Sequence, residues 1–366
     1  MSSPAGRGQR RKEQPPKTGA GRRAFWESGI ISVLLSRLRS AIGNRISSVF
    51  AVLIFDSRAI GYFLFVKEGT AMKKPIFEGI ATALITPITE NGIDYEAFGR
   101  LIDWQIEEGV NALVICGTTG EASTLTDEEH REAIVFAIER AAKRIPIIAG
   151  TGSNDTAYAM ELTKFSCAAG ADGVLVVTPY YNKATQNGLI KMFTELADAA
   201  SAPVILYNVP SRTGVNIEPK TAAELAGHPN ISAIKEAGGN ISKVAELAAL
   251  CGDELNIYSG NDDQIVPIMS LGGKGCISVL SNVLPKESAE LCAKMLRGDY
   301  KGAAEMQLKY LPLINALFSE VNPIPVKAAM AAMGFCEDYL RLPLTPMEPA
   351  HREVLFAEMR RAGIKI

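Results

Sequence analysis

The sequence predicts an α/β protein: a (β/α)8 barrel with a C-terminal helical appendage. Three observations predict it. Eight short apolar runs alternate with segments of helical period between residues 72 and 296, which is the rhythm of parallel βαβ units. Eight such units in that length match a closed barrel. The rival, a doubly wound sheet, usually carries a glycine-rich turn after its first strand, and here Thr86-Pro87-Ile88-Thr89 stands in that place.

The predicted strands are 80–85, 112–116, 145–149, 173–177, 204–208, 231–235, 256–259 and 275–279. Between them, segments 95–108, 127–143, 156–169, 189–199, 221–226 and 243–251 repeat apolar residues three and four apart, as an amphipathic helix does. Thr126 with Glu129 three residues on reads as a capping box that starts one of these helices. Beyond residue 285 the stretches 286–296, 300–318 and 325–333 read as helices, with no further strand. The expected organisation is therefore an extension at 1–71, a catalytic barrel at 72–296 and a helical region at 297–366.

The extension differs from the rest in charge. Residues 1–71 hold nine Arg and three Lys against four acidic residues, a net +8, so the remainder of this chain of net −2 carries −10. The apolar stretch 49–66 is interrupted by Asp56 and Arg58, which argues against a membrane-spanning helix. Three readings stand: an organelle (plastid) transit peptide, a regulatory or membrane-surface arm, or a segment foreign to the mature protein, with Met72 as the true start. The third is preferred because the structural and chemical signals begin after Met72. Lys67-Glu68-Gly69 can also be encoded by a purine-rich ribosome-binding sequence. On that reading residues 1–71 are disordered or absent.

Whole-chain composition excludes several functions. With 38 basic and 40 acidic residues there is no electrostatic case for nucleic acid or an anionic membrane as the main partner. The six cysteines are scattered and no histidine cluster accompanies them, so neither a zinc site nor a disulfide framework is expected. Reduced thiols in a cytoplasmic protein are the simplest reading. His130, His228 and His351 read as surface residues.

A barrel presents its chemistry where the strands end. The second strand is followed by Gly117-Thr118-Thr119-Gly120-Glu121, the fourth by Thr178-Pro179-Tyr180-Tyr181-Asn182, and the fifth ends in Tyr207-Asn208-Val209-Pro210-Ser211-Arg212-Thr213-Gly214. The sixth ends in Lys235-Glu236 and the seventh in Ser259-Gly260-Asn261-Asp262-Asp263. Lys235 closes an apolar run, and burial disfavours the charged form of a lysine, leaving an amine able to attack a carbonyl. The competing reading pairs it with Glu236 or extends it to the barrel mouth. Tyr207 and Tyr181 could relay protons or simply pack. Thr118 and Thr119 could hold a carboxylate or serve only the turn, and Arg212 is either a carboxylate clamp or a solvated loop residue. Gly272-Gly273-Lys274-Gly275 lacks phosphate-loop spacing and reads as a turn.

Taken jointly with Asn322-Pro323-Ile324-Pro325-Val326-Lys327, these motifs resemble the dihydrodipicolinate synthase family of pyruvate-dependent class I aldolases and lyases. The resemblance covers residues 75–366 and none of 1–71. It implies condensation of pyruvate with L-aspartate 4-semialdehyde to 4-hydroxy-tetrahydrodipicolinate, in the diaminopimelate route of lysine biosynthesis. It further implies an imine on Lys235 and a relay of Tyr207, Thr118 and Tyr181, the last reaching into a neighbouring subunit. Thr119 would bind the pyruvate carboxylate and Arg212 the semialdehyde carboxylate, while Gly260 and Ile277 line the site. His130, Asn154, Tyr158 and Tyr180 match a lysine-regulatory pocket in which Tyr158 stands where inhibited relatives carry an acid. The family needs no metal or organic cofactor, since a protonated imine is itself the electron sink. It is usually a tetramer, a dimer of dimers. An N-acetylneuraminate or other keto-acid aldolase would share Lys235 and Tyr207, but Tyr180-Tyr181 and Ser211-Arg212-Thr213-Gly214 favour the synthase. A catalytically dead barrel acting as a binding subunit would not need the full polar set.

Overall fold

The computed structural model describes residues 73–366 and the backbone of 49–55 and 61–67. The chain divides into two compact units at Thr70. In the first, Val49–Phe55 and Gly61–Lys67 pair antiparallel, from Val49 opposite Lys67 to Phe55 opposite Gly61. No strand is expected there from the sequence. The β-branched and aromatic residues of this stretch suit a strand, and Asp56 and Arg58 lie between the two in sequence. The other expectations for residues 1–71 fall outside the described residues.

The second unit is a closed barrel of eight parallel strands. They are β1 (Gly79–Ala83), β2 (Ala112–Ile115), β3 (Ile147–Gly150), β4 (Gly173–Val177), β5 (Val204–Asn208), β6 (Ile231–Glu236), β7 (Asn256–Ser259) and β8 (Gly275–Ser278). Each pairs with its successor, and β8 returns to β1 through Cys276 opposite Ile80. Successive side chains on a strand point to opposite faces, so two apolar layers form. Ala81, Val114, Ile148, Leu175, Ile205, Ala233 and Ile277 fill the interior with Phe77 and Tyr258, whose rings stack at 4.2 Å. Val174, Val176, Leu206, Ile234 and Ile257 face outward to the helices. This parity decides the site: Lys235 and Tyr207 fall on the interior phase, Glu236 and Asn208 on the outer one.

The helices of the barrel are α1 (Tyr95–Glu107), α2 (Asp127–Ala141), α3 (Thr156–Ala169), α4 (Gln186–Ala199), α5 (Pro219–Ala226), α6 (Ile241–Cys251), α7 (Ile265–Ser270) and α8 (Pro285–Leu296). The predicted capping box forms at α2: Glu129 N donates to Thr126 Oγ1 (3.2 Å) and Thr126 N to Glu129 Oε2 (2.9 Å). α4 begins earlier than its apolar period suggests, because the Thr185 hydroxyl accepts from Gly188 N at 3.2 Å and caps it there. α7, six residues long, went unpredicted, being too short to show a period.

Beyond the barrel come α9 (Tyr300–Leu317), α10 (Ile324–Ala332) and α11 (Pro349–Arg361). α11 carries no legible helical period, because only Leu355 and Met359 are buried on it. One apolar cluster joins Ile80 and Leu113 of the barrel to Leu313, Met330 and Leu355. The expected boundary at 296/297 therefore crosses a continuous core.

One correction concerns His130. It is buried, not a surface residue, because it shares the inner face of α2 with Ala133, Ile134 and Ala137. Its Nε2 lies 2.8 Å from Gly150 O, and burial lowers its pKa from the usual histidine value. His228 and His351 pair instead with Asp198 (3.0 Å) and Glu320 (2.8 Å). Among the described residues no helix is long and apolar enough to cross a membrane.

Candidate active site

The site is built where β6 ends. Lys235 is two residues beyond the interior Ala233, so its side chain enters the barrel, where it is only 6% exposed. Its Nζ stands 4.3 Å from the ring centroid of Tyr207, its cross-strand neighbour on β5. Glu236 does not pair with it. That carboxylate faces the outer layer and accepts from Asn208 Nδ2 (2.9 Å) and Gly238 N (2.6 Å). Burial raises its pKa, and it lines a separate cavity of about 270 Å³ shared with Asn216 and Lys243.

Gly260, after β7, touches the lysine directly. A Cβ built there would lie 2.7 Å from Ala237 Cβ and 3.2 Å from Lys235 Cε. Only a residue without a side chain leaves this passage open. Beneath it, the fully buried Asp262 accepts from Val279 N and Leu280 N, both at 2.9 Å, and so fixes the exit of β8. Its pKa is raised by burial, a shift opposed by the hydrogen bonds it accepts from Ser278, Leu280 and Val279 and by the Lys235 charge. Ile277 is fully buried on the interior face of β8. Asp262 stands in the polar run that follows the seventh strand, but nothing in that run marks it as buried or gives it a role.

The loop after β2 is wound tightly: Gly120 N donates to Gly117 O and Glu121 N to Thr118 O, each at 3.1 Å. Thr119 is buried, Thr118 half-buried. Thr119 Oγ1 accepts from Asn322 Nδ2 at 3.1 Å, and the Asn322 carbonyl accepts from Arg212 Nη2 at 3.1 Å. Asn322 thereby links two predicted site residues, Thr119 in the loop after β2 and Arg212 in the helical turn Pro210–Thr213 after β5. The motif containing it was visible in the sequence, but this contact was not.

Tyr181 behaves differently. Its backbone is left-handed (φ 70°) and the residue is 93% exposed. Among the described residues no hydrogen bond joins it to Tyr207 or Thr118. Nearby, Asn154 Nδ2 donates to Tyr180 O (3.2 Å) and Tyr158 Oη to Asp127 Oδ1 (2.7 Å). Burial and this bond to Asp127 push the Tyr158 phenol up to about 12. Asp127 is also bound by Arg131 at 2.8 Å, and this bond, with the Tyr158 hydroxyl, lowers its pKa.

As an arrangement, a barrel-interior amine beside a phenol, with hydroxyls on one side and a guanidinium at the rim, suits carbonyl capture followed by proton transfer. Among the described residues no cluster of three His, Cys, Asp or Glu could hold a metal ion.

Comparison with known proteins bears on this geometry. The model of the Dihydrodipicolinate synthetase family matches residues 76–362. A 4-hydroxy-tetrahydrodipicolinate synthase of Lachnoclostridium phytofermentans is 58% identical over 291 residues, covering 79% of this chain and 99% of that protein. One from Caldicellulosiruptor saccharolyticus is 56% identical over 293 residues, 80% and 99% of the two chains. The crystal structure of the chloride-inhibited dihydrodipicolinate synthase of Acinetobacter baumannii, complexed with pyruvate, superposes with a TM-score of 0.77. It is 45% identical and covers 78% of this chain and 99% of that one.

Proposed function

The chain belongs to the dihydrodipicolinate synthetase family, and from that premise we propose that it condenses pyruvate with L-aspartate 4-semialdehyde to give 4-hydroxy-tetrahydrodipicolinate. It is a lyase of the diaminopimelate route to lysine. The observation that carries the reading is the buried Lys235 amine, held 4.3 Å from the Tyr207 ring centroid inside the barrel.

The amine attacks the pyruvate carbonyl, water leaves, and an imine joins Lys235 to the substrate. The protonated imine withdraws electrons, so a methyl proton is lost and an enamine forms. The enamine carbon bonds to the aldehyde carbon, whose oxygen takes a proton. The amino group of the semialdehyde then displaces the lysine nitrogen, freeing Lys235 and closing the ring. Tyr207, Thr118 and Tyr181 move the protons. Thr119 holds the pyruvate carboxylate, and Arg212 receives the semialdehyde carboxylate, which its planar fork matches. Gly260 and Ile277 line the space between them.

The exposure of Tyr181 supports a shared site: its phenol completes the relay of a neighbouring copy, so the working form is at least a dimer and, as a family trait, a tetramer. The activity resides in residues 72–366, in the cytoplasm. Borohydride reduction in the presence of pyruvate tests the reading. Covalent mass should appear on the unaltered chain and vanish in Lys235→Ala, with turnover lost and the melting curve retained. Substantial turnover by Lys235→Ala would defeat it.

A further inference from the structure

Resting on that reading, we propose that Glu121 and Lys327 form a buried positioning pair through which the C-terminal helical region sets the pyruvate end of the site. Lys327 lies on α10 and Glu121 ends the loop after β2 that carries Thr118 and Thr119. Both side chains are 0% exposed, and Lys327 Nζ meets Glu121 Oε1 at 2.7 Å.

The bonds within the loop give it a shape but no fixed place above the barrel. Its placement comes from outside. Lys327 Nζ also donates to Thr86 O at 2.7 Å, and Thr86 Oγ1 in turn donates to Gly120 O at 2.8 Å. One ammonium group thus fastens the exits of β1 and β2 to each other. From the other side, Asn322 Nδ2 holds Thr119 Oγ1. Thr119 therefore sits between two contacts that both originate in residues 322–327.

The pair's chemistry suits placement. Two buried opposite charges are costly to separate, because neither finds water when its partner moves. Glu121 also keeps a left-handed backbone (φ 57°), which an L residue seldom adopts without a contact to hold it. Neither residue reaches the reacting atoms, so their action runs through Thr118 and Thr119.

Glu121→Leu/Lys327→Met replaces both charges with apolar groups of similar length, the exchange that buried pairs tolerate best. Glu121→Gln keeps an acceptor for Lys327 and removes one charge. In the double variant we expect the pyruvate KM to rise about tenfold and borohydride trapping to slow by about the same factor. The semialdehyde KM should change by less than about threefold, and Glu121→Gln should fall between parent and double variant. A native pyruvate KM in Glu121→Gln, or in a folded double variant with or without a lowered melting temperature, overturns the proposal. Should the double variant not fold, Glu121→Gln decides alone. If pyruvate and borohydride fail to label the parent chain, the function itself is wrong and this inference falls with it. If the parent is labelled and the variants match it, only the positioning role is wrong.

Discussion

Gly260→Ala is the most direct probe of how the barrel holds its lysine. Gly260 does not occupy the left-handed region, so alanine meets no backbone penalty and the effect is purely steric. The new Cβ would stand 2.7 Å from Ala237 Cβ, 3.1 Å from Glu236 O and 3.2 Å from Lys235 Cε. Relaxed carbon contacts begin at about 3.5 Å, so about 0.8 Å must be found between two chain segments. Gly260 N donates to Glu236 O at 2.7 Å, which ties the segments together and prevents them from simply parting. Over-packing of this kind costs about 1–3 kcal/mol. Ala237 Cβ and Glu236 O belong to the chain segment that carries Lys235, so relieving the clash shifts that segment, and the flexible lysine side chain, itself within 3.2 Å, moves from its place beside Tyr207 as well. A misplacement of about 1 Å at a reacting group can cost about a hundredfold in rate. Single-turnover trapping with pyruvate and borohydride, set beside a melting curve, measures both quantities. Imine formation at the parental rate in a folded Gly260→Ala chain would refute the steric account of lysine placement.

Three further outcomes follow from particular contacts. Arg212→Ala removes a charge-assisted donor worth about 1.5–3 kcal/mol, so the semialdehyde kcat/KM should fall about tenfold to a hundredfold while pyruvate trapping changes less. Equal loss for both substrates would place the arginine elsewhere in the reaction. Inhibition by lysine should be weak or absent, because Tyr158 cannot neutralise an ammonium group and Asp127 is already bound to Arg131 and Tyr158; a submillimolar inhibition constant would contradict this. Finally, Arg341 donates from Nη1 and Nη2 to the two carboxylate oxygens of Glu129, at 2.6 Å each, and lowers that carboxyl's pKa. A depressed folded-state pKa contributes stability that is present above the ordinary glutamate range and is lost as pH falls through the depressed value. The melting-temperature gap between parent and Arg341→Ala should therefore be widest near neutrality and close in acid, and a gap independent of pH would count against the pair.

What the sequence by itself determined is the local part of this protein. Strand and helix alternation are written in periods of two and 3.6, which depend on neighbours in the chain. From the same alternation Lys235, Tyr207, Thr119 and Arg212 are placed at or just beyond strand exits, while a pairing of Lys235 with Glu236 stays open until the closed barrel turns the two to opposite faces. α11 escaped because its buried positions, Leu355 and Met359, are too few to mark a face. His130 was misread because one histidine in a polar first turn carries no sign of which face it takes. Only the tertiary structure decided the supports of the site. Asn322 meets Thr119 across 203 residues and Lys327 meets Thr86 across 241. Asp262 and Glu121 are buried acids whose burial nothing in the sequence marks. The physical reason is the same in each case: a charged side chain has the same character in the sequence whether it ends in water or against a partner brought by the fold, and burial is a property of the packed barrel alone.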